Sequence, residues 1–157
     1  MKVGRITLSD RASAGIYTDK SGPEIERVFA ALYPNSIEWI PVLIPDEQPV
    51  IEATLKRLAD DDSCDLVITT GGTGPAPRDV TPEATRAILE RELPGFGEIM
   101  RVMSFTKVPT SILSRSTAGT RGQTLIVNLP GNPKAIEECL PLIFPAITEA
   151  IKHLHGQ

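Results

Sequence analysis

Cysteine is scarce in this 157-residue chain, which has only Cys64 and Cys139. They lack the paired spacings of zinc or redox centres, and two thiols in a chain of this size do not make a disulfide framework. A reducing cytoplasm is the default expectation. Histidine is equally sparse: His153 and His155 lie near a terminus without other nitrogen or sulfur ligands at useful spacing, which excludes a metal centre there. A basic excess is missing too. Sixteen Lys and Arg against 20 Asp and Glu give a net charge of −4, which argues against a broad nucleic-acid face or a polybasic membrane surface. No apolar run approaches the roughly 20 residues of a spanning helix, and the opening "MKVGRITLSD" is too short and polar for a signal peptide. These absences describe a soluble protein of one domain, 1–157, that holds anions locally.

What is present alternates in type. Val3 to Leu8 reads as a first strand, Ile37 to Ile44 as a second and Leu66 to Thr70 as a third, each followed by a stretch of helical periodicity. Ser21 with Glu24 three residues on suggests a capping box. Thr81 before Pro82 suggests a cap with proline in the first turn. A further helix is expected over Glu98 to Phe105, Pro109 to Gly122 resists assignment, and "TLIVNLPGNPK" gives a buried strand, a turn and a last helix from about Ala135. The order β-α-β-α-β-α-(α)-β-α implies an α/β fold of three layers, a mostly parallel sheet with helices on both faces. Right-handed crossovers bring the loops "SDRASAG", "IPDEQ", "GGTGPAPRD" and "LPGNPK" to one edge, where ligands bind in open α/β sheets.

The glycine loop is the strongest of these. Successive glycines permit positive φ and let N–H groups converge on an anion, and a helix start near Thr81 adds its dipole. Thr69, Thr70 and Thr73 add hydroxyl donors. No Gly-Lys-Ser/Thr follows, so this is not a P-loop, and Pro77 stands where a dinucleotide fingerprint needs glycine or alanine. The plain alternative is a tight turn.

Asp79 is the unexpected member. A carboxylate about 4 Å from a phosphate charge is repelled by roughly 4 kcal/mol at an effective dielectric of 20. A divalent cation reverses that sign, since Mg²⁺ binds one or two carboxylates together with substrate phosphates, and Asp46 on the neighbouring loop offers a second carboxylate. Asp46 could equally be the N-cap of the next helix, and Asp79 the head of an Asx-turn. Lys20, Asn132 and Lys134 divide in the same way between gripping a ligand and serving a surface or a helix start. No Ser-His-Asp or Cys-His set is evident. Joining two phosphate-bearing molecules needs none, because a phosphate monoester with a second pKa near 6 is already a dianionic nucleophile.

The motifs "SDRASAGIYTDKSGP", "IPDEQ", "TTGGTGPAPRDVTPEAT", "PGFGEIMR", "ILSRSTAG" and "NLPGNPKAIEECL", in that order, resemble the MogA/MoaB family of molybdenum-cofactor biosynthesis proteins. The opening is more similar to the MogA branch than to the MoaB branch. The resemblance implies a Rossmann-like topology and a nucleotidyltransferase that moves AMP from ATP to the terminal phosphate of molybdopterin, releasing pyrophosphate with Mg²⁺. It implies that Asp46 and Asp79 are catalytic and hold the metal. Thr70, Gly71, Gly72, Thr73 and Gly74 would contact pterin and phosphate, with Ser9, Asp10, Ser114, Asn132 and Lys134 as further substrate contacts and Pro94, Gly95 and Glu98 on the nucleotide side. It also implies a homotrimer and a molybdenum-insertion protein as partner. Some bacterial relatives continue beyond "HLHGQ", which leaves these motifs untouched. A non-catalytic molybdopterin carrier of the same fold is the alternative, and a nicotinamide dehydrogenase is disfavoured by the missing third glycine.

Overall fold

Strand β3 (Leu66–Thr70) and strand β6 (Thr124–Leu129) are buried at every residue, as strands covered on both faces must be. A computed structural model describing residues 1–157 places them side by side at the centre of a six-stranded sheet of order β2-β1-β3-β6-β5-β4. Strands β1 (Lys2–Leu8) and β2 (Glu38–Ile44) continue it in parallel, while β5 (Ala118–Arg121) and β4 (Arg91–Glu92) close the far edge antiparallel.

The pleat splits the apolar residues between two cores. Leu66, Ile68, Leu125, Val127 and Leu129 pack with helices α2 (Ser21–Leu32), α5 (Gly95–Phe105) and α6 (Pro133–Leu154). Val67 and Ile126 point the other way, to α3 (Gln48–Lys56) and α4 (Thr81–Ile88). The three-layer α/β architecture expected from the element order is therefore present. A short α1 (Asp10–Ser13) follows β1, a π turn (Arg57–Asp61) extends α3, and a 3₁₀ turn (Pro109–Leu113) follows α5.

Four sequence expectations change. Strand β5 lies in the unassigned Pro109 to Gly122 region, and β4 in the stretch before "LPGFG" expected to continue the helix from Thr81, which ends at Ile88. Two exposed residues in one and a glycine in the other carry little strand signal; the hairpin turn at Gly122, with φ 56°, was the available clue. Helix α5 starts at Gly95 rather than Glu98, directly after Pro94, and its Gly97 lies against the Ser116 carbonyl, where a side chain would not fit. Ser21 does not cap α2: its hydroxyl donates to Gly131 O at 2.6 Å, and Asp19 Oδ1 accepts the Gly22 N–H at 3.0 Å instead. Thr81 does not cap α4 either. It is fully buried, and its hydroxyl donates to Gly71 O at 3.0 Å.

The strand ends meet closely. Gly71 (φ 95°) lies where a Cβ would strike the Leu8 carbonyl, and a Cβ on Gly131 would come within 3.3 Å of the Gly71 Cα. The Thr70 hydroxyl donates to Pro130 O at 2.7 Å. Gly71→Ala is therefore expected to destabilise the fold by about 2 kcal/mol or more, combining left-handed strain with a backbone clash; urea denaturation measures it.

Candidate active site

The close approach of Leu8, Gly71 and Gly131 has a local result. Beyond Thr70 the chain leaves the sheet through Gly71 and Gly72, both at positive φ (95° and 66°). Thr81 N–H donates back to Gly72 O at 3.1 Å. The N–H groups of Gly72, Thr73 and Gly74 find no acceptor within the chain, which leaves a run of main-chain donors of the kind that binds anions.

Two carboxylates flank this run. A side-chain carbon on Gly72 would come within 2.9 Å of Asp46 Oδ1, and one on Gly74 within 2.8 Å of Asp79 Oδ2. Both glycines thus make room for an acid. Asp46 is not the cap of α3: no side chain caps that helix, and Asp46 instead bonds reciprocally with the neighbouring loop. Its Oδ2 accepts the Asp10 N–H at 3.1 Å, and its own N–H donates to Asp10 Oδ1 at 3.0 Å. Arg78 holds Asp10 from outside with a fork of two bonds at 2.8 and 2.9 Å. Asp79 hooks backward, accepting the Ala76 N–H at 3.1 Å, which is not an Asx-turn.

A cavity of about 430 Å³ opens beside the loop, within the range that holds small ligands. Thr73, Gly74, Ser114, Asn132 and Lys134 line it, as do Cys139 and three residues to which no motif assigns a role, Arg101, Ser104 and Lys107. Asn132 also caps α6, accepting the Lys134 N–H at 2.9 Å. Across the Gly71–Gly131 contact lies a smaller hollow of about 130 Å³ lined by Ser9, Lys20, Thr70 and Gly71. The Ser9 hydroxyl caps the one-turn α1, accepting from Ala12 N at 3.1 Å. Pro94, Gly95 and Glu98 lie apart from both: Pro94 and Gly95 are exposed at the start of α5, and Glu98 borders a separate shallow surface.

A sequence family described as "Probable molybdopterin binding domain" matches residues 4–149. The chain belongs to this family. A curated relative named molybdopterin adenylyltransferase, from Helicobacter pylori strain 26695, is 50% identical over 154 residues, 98% of this chain and 88% of that protein. One of the same name from Haemophilus influenzae is 55% identical over 140 residues, 89% and 71% of the two chains. Among solved structures, the molybdopterin biosynthesis enzyme MoaB of Thermus thermophilus matches with a TM-score of 0.90 at 44% identity, covering 99% of this chain and 97% of that one.

In this chain the acids of the site oppose one another electrostatically. Burial pushes the Asp46 carboxyl above the usual carboxylate range, and the charges of Asp10 and Asp79 add to the rise. Asp10 moves the other way, its carboxyl held low by the hydrogen bonds from Arg78. Asp46 Oδ1 is buried without any hydrogen-bond partner, a costly state that a cation would relieve. Residues fit for Mg²⁺ are therefore present. No cluster of three or more metal-binding side chains occurs, so the ion would depend on substrate phosphates as well.

A carboxyl whose folded pKa lies above the unfolded value of about 3.9 stabilises the fold only at acid pH, and that contribution is lost as pH rises through the folded pKa. Asp46→Asn is accordingly expected to melt higher than the wild type at pH 7, with the difference closing toward pH 3. Mg²⁺ added with ATP should raise the melting temperature of the wild type beyond ATP alone, and not that of the variant; thermal melts across pH, with ATP and with or without Mg²⁺, check both.

Proposed function

We propose that this chain is a molybdopterin adenylyltransferase of molybdenum-cofactor biosynthesis, transferring AMP from ATP to the terminal phosphate of molybdopterin and releasing pyrophosphate. The observation that carries the reading is the pairing of Asp46 and Asp79 against Gly72 and Gly74, beside free main-chain donors and a cavity of small-ligand size. The names and the degree of identity of the curated relatives support it.

In this reading the N–H groups of Gly72, Thr73 and Gly74 hold the pterin-side phosphate, and the pterin ring enters the cavity lined by Met100, Ser104 and Ala135. Lys107 and Lys134 at the same cavity offset the anionic charge. A terminal phosphate oxygen of molybdopterin forms the new bond to the α-phosphorus of ATP, and the bond from that phosphorus to the bridging oxygen breaks. The dianionic phosphate needs no side chain to activate it, so the protein contributes alignment and charge compensation. Mg²⁺ held by Asp46 and Asp79 would neutralise the triphosphate oxygens. Ser9, Asp10 and Thr70 order the adjoining loop, and Pro94, Gly95 and Glu98 meet the nucleotide side only if a second protomer brings them there.

Assembly as a homotrimer belongs to the same proposal. The exposed apolar side chains of Ile99, Val102, Met103, Phe105 and Ile112 support it, because a patch of this kind marks a protein interface. The setting is the cytoplasm, in keeping with the buried, unpaired Cys64 and Cys139. No helix is long and apolar enough to cross a membrane. The adenylylated product would pass to a molybdenum-insertion protein.

The second reading is a molybdopterin carrier of the same fold without turnover. Carboxylates beside phosphate donors speak for the enzyme, since a carrier gains nothing from that repulsion. Incubation with ATP, Mg²⁺ and molybdopterin is expected to give adenylylated pterin by mass and one pyrophosphate per turnover. Asp79→Asn should slow transfer by about 100-fold, the scale of losing one preorganised electrostatic group. Pterin binding without AMP transfer in the wild type would establish the carrier instead.

A further inference from the structure

Arg115, just ahead of β5, reaches back over the glycine loop. Its main-chain N–H donates to Thr73 O at 2.8 Å. Its Nε donates to Gly74 O at 3.0 Å, its Nη2 to Asp79 O at 2.7 Å, and its Nη1 pairs with the Glu83 carboxylate in the first turn of α4. One guanidinium therefore ties the two ends of the segment Gly74 to Asp79 to each other and to a helix. The stretch between is Pro75-Ala76-Pro77-Arg78, exposed throughout. Two prolines deprive it of N–H groups. Its bonds between Ala76 and Asp79 are internal to the segment, and its only other tie is the exposed Arg78 pair with Asp10.

The glycine donors are secured differently. Gly71 and Gly72 are held through Thr81, and Thr73 through the Arg115 main chain, which survives any change of side chain. The guanidinium thus acts at Gly74 and at Asp79, while the Gly72 and Thr73 end of the loop keeps its own ties.

We propose that Arg115 is a positioning residue for Asp79, fixing that carboxylate against Gly74 so that it faces the nucleotide during AMP transfer. This rests on the adenylyltransferase reading. A planar fork of donors can bridge two carbonyls and a carboxylate together, whereas a lysine ammonium at 115 is a single point charge and cannot span them.

The test compares full-length wild type, Arg115→Ala, Arg115→Lys, Asp79→Asn and the Arg115→Ala/Asp79→Asn double variant, with folding checked by circular dichroism. Both Arg115 variants are expected to lose about 100-fold in kcat, the scale of a small misplacement of a reacting group. Their Kd for molybdopterin should stay within about threefold of wild type, since only interactions made in the transition state are lost. The double variant should be no more than about twofold slower than Asp79→Asn alone, because residues acting as a unit are not additive. Guanidinium at tens of millimolar should partly restore Arg115→Ala and leave the double variant unchanged. If Arg115→Ala does not fold, Arg115→Lys carries the same expectations.

Unchanged kcat, a parallel loss of kcat and pterin affinity, or additive effects with Asp79→Asn would overturn the positioning role while leaving the enzyme reading in place. A wild type that binds molybdopterin and transfers no AMP would remove both.

Discussion

Three backbone segments meet at contact distance where β1, β3 and β6 end, and the candidate site depends on that meeting. Gly71 fits under the Leu8 carbonyl, Gly131 lies against Gly71, and the hydroxyls of Thr70, Ser21 and Thr81 tie carbonyls of the same loops. The parallel strands require it, because buried strands in register deliver their outgoing loops to one edge. At Gly71 no side chain fits, since a Cβ there would strike the Leu8 carbonyl. The consequence is chemical as well as steric, since the chain bent through positive φ beyond β3 leaves its next N–H groups without an acceptor in the protein.

Around that crossing the protein gathers acid where phosphate is expected to lie. Asp10, Asp46 and Asp79 come from three loops, and Arg78 answers only the first of them directly. The buried oxygen of Asp46 has no hydrogen-bond partner, a local cost that the Arg78 charge and the Asp10 N–H offset only in part. Conflicts of this kind concentrate at functional sites, where stability is given up for reactivity.

The sequence made much of this legible. The third strand was read to the residue, and the alternation of elements was enough to place four loops at one edge. Charge logic singles out Asp46 and Asp79 in the sequence, and the structure sets both carboxylates beside the glycine loop. What escaped has physical causes. Strands β4 and β5 pair antiparallel at the far edge, short and poor in apolar residues, so that pairing rather than propensity defines them. The hydroxyls of Ser21 and Thr81 occupy cap-like positions in the sequence, but carbonyls from distant loops compete for them and win. Arg115 and Arg101 escaped because their work is to bind main-chain carbonyls, and no spacing rule announces an arginine that does so.

The free donors beside Thr73 belong to the polymer rather than to any side chain. Most single-residue changes in this loop therefore cannot delete them, nor can a shift in solution acidity discharge them. Descendants of this gene can drift at exposed positions and keep this row of free donors, provided the residues lacking a Cβ stay in place. Durability of binding, with freedom to vary everything around it, is what a cradle built from peptide groups confers.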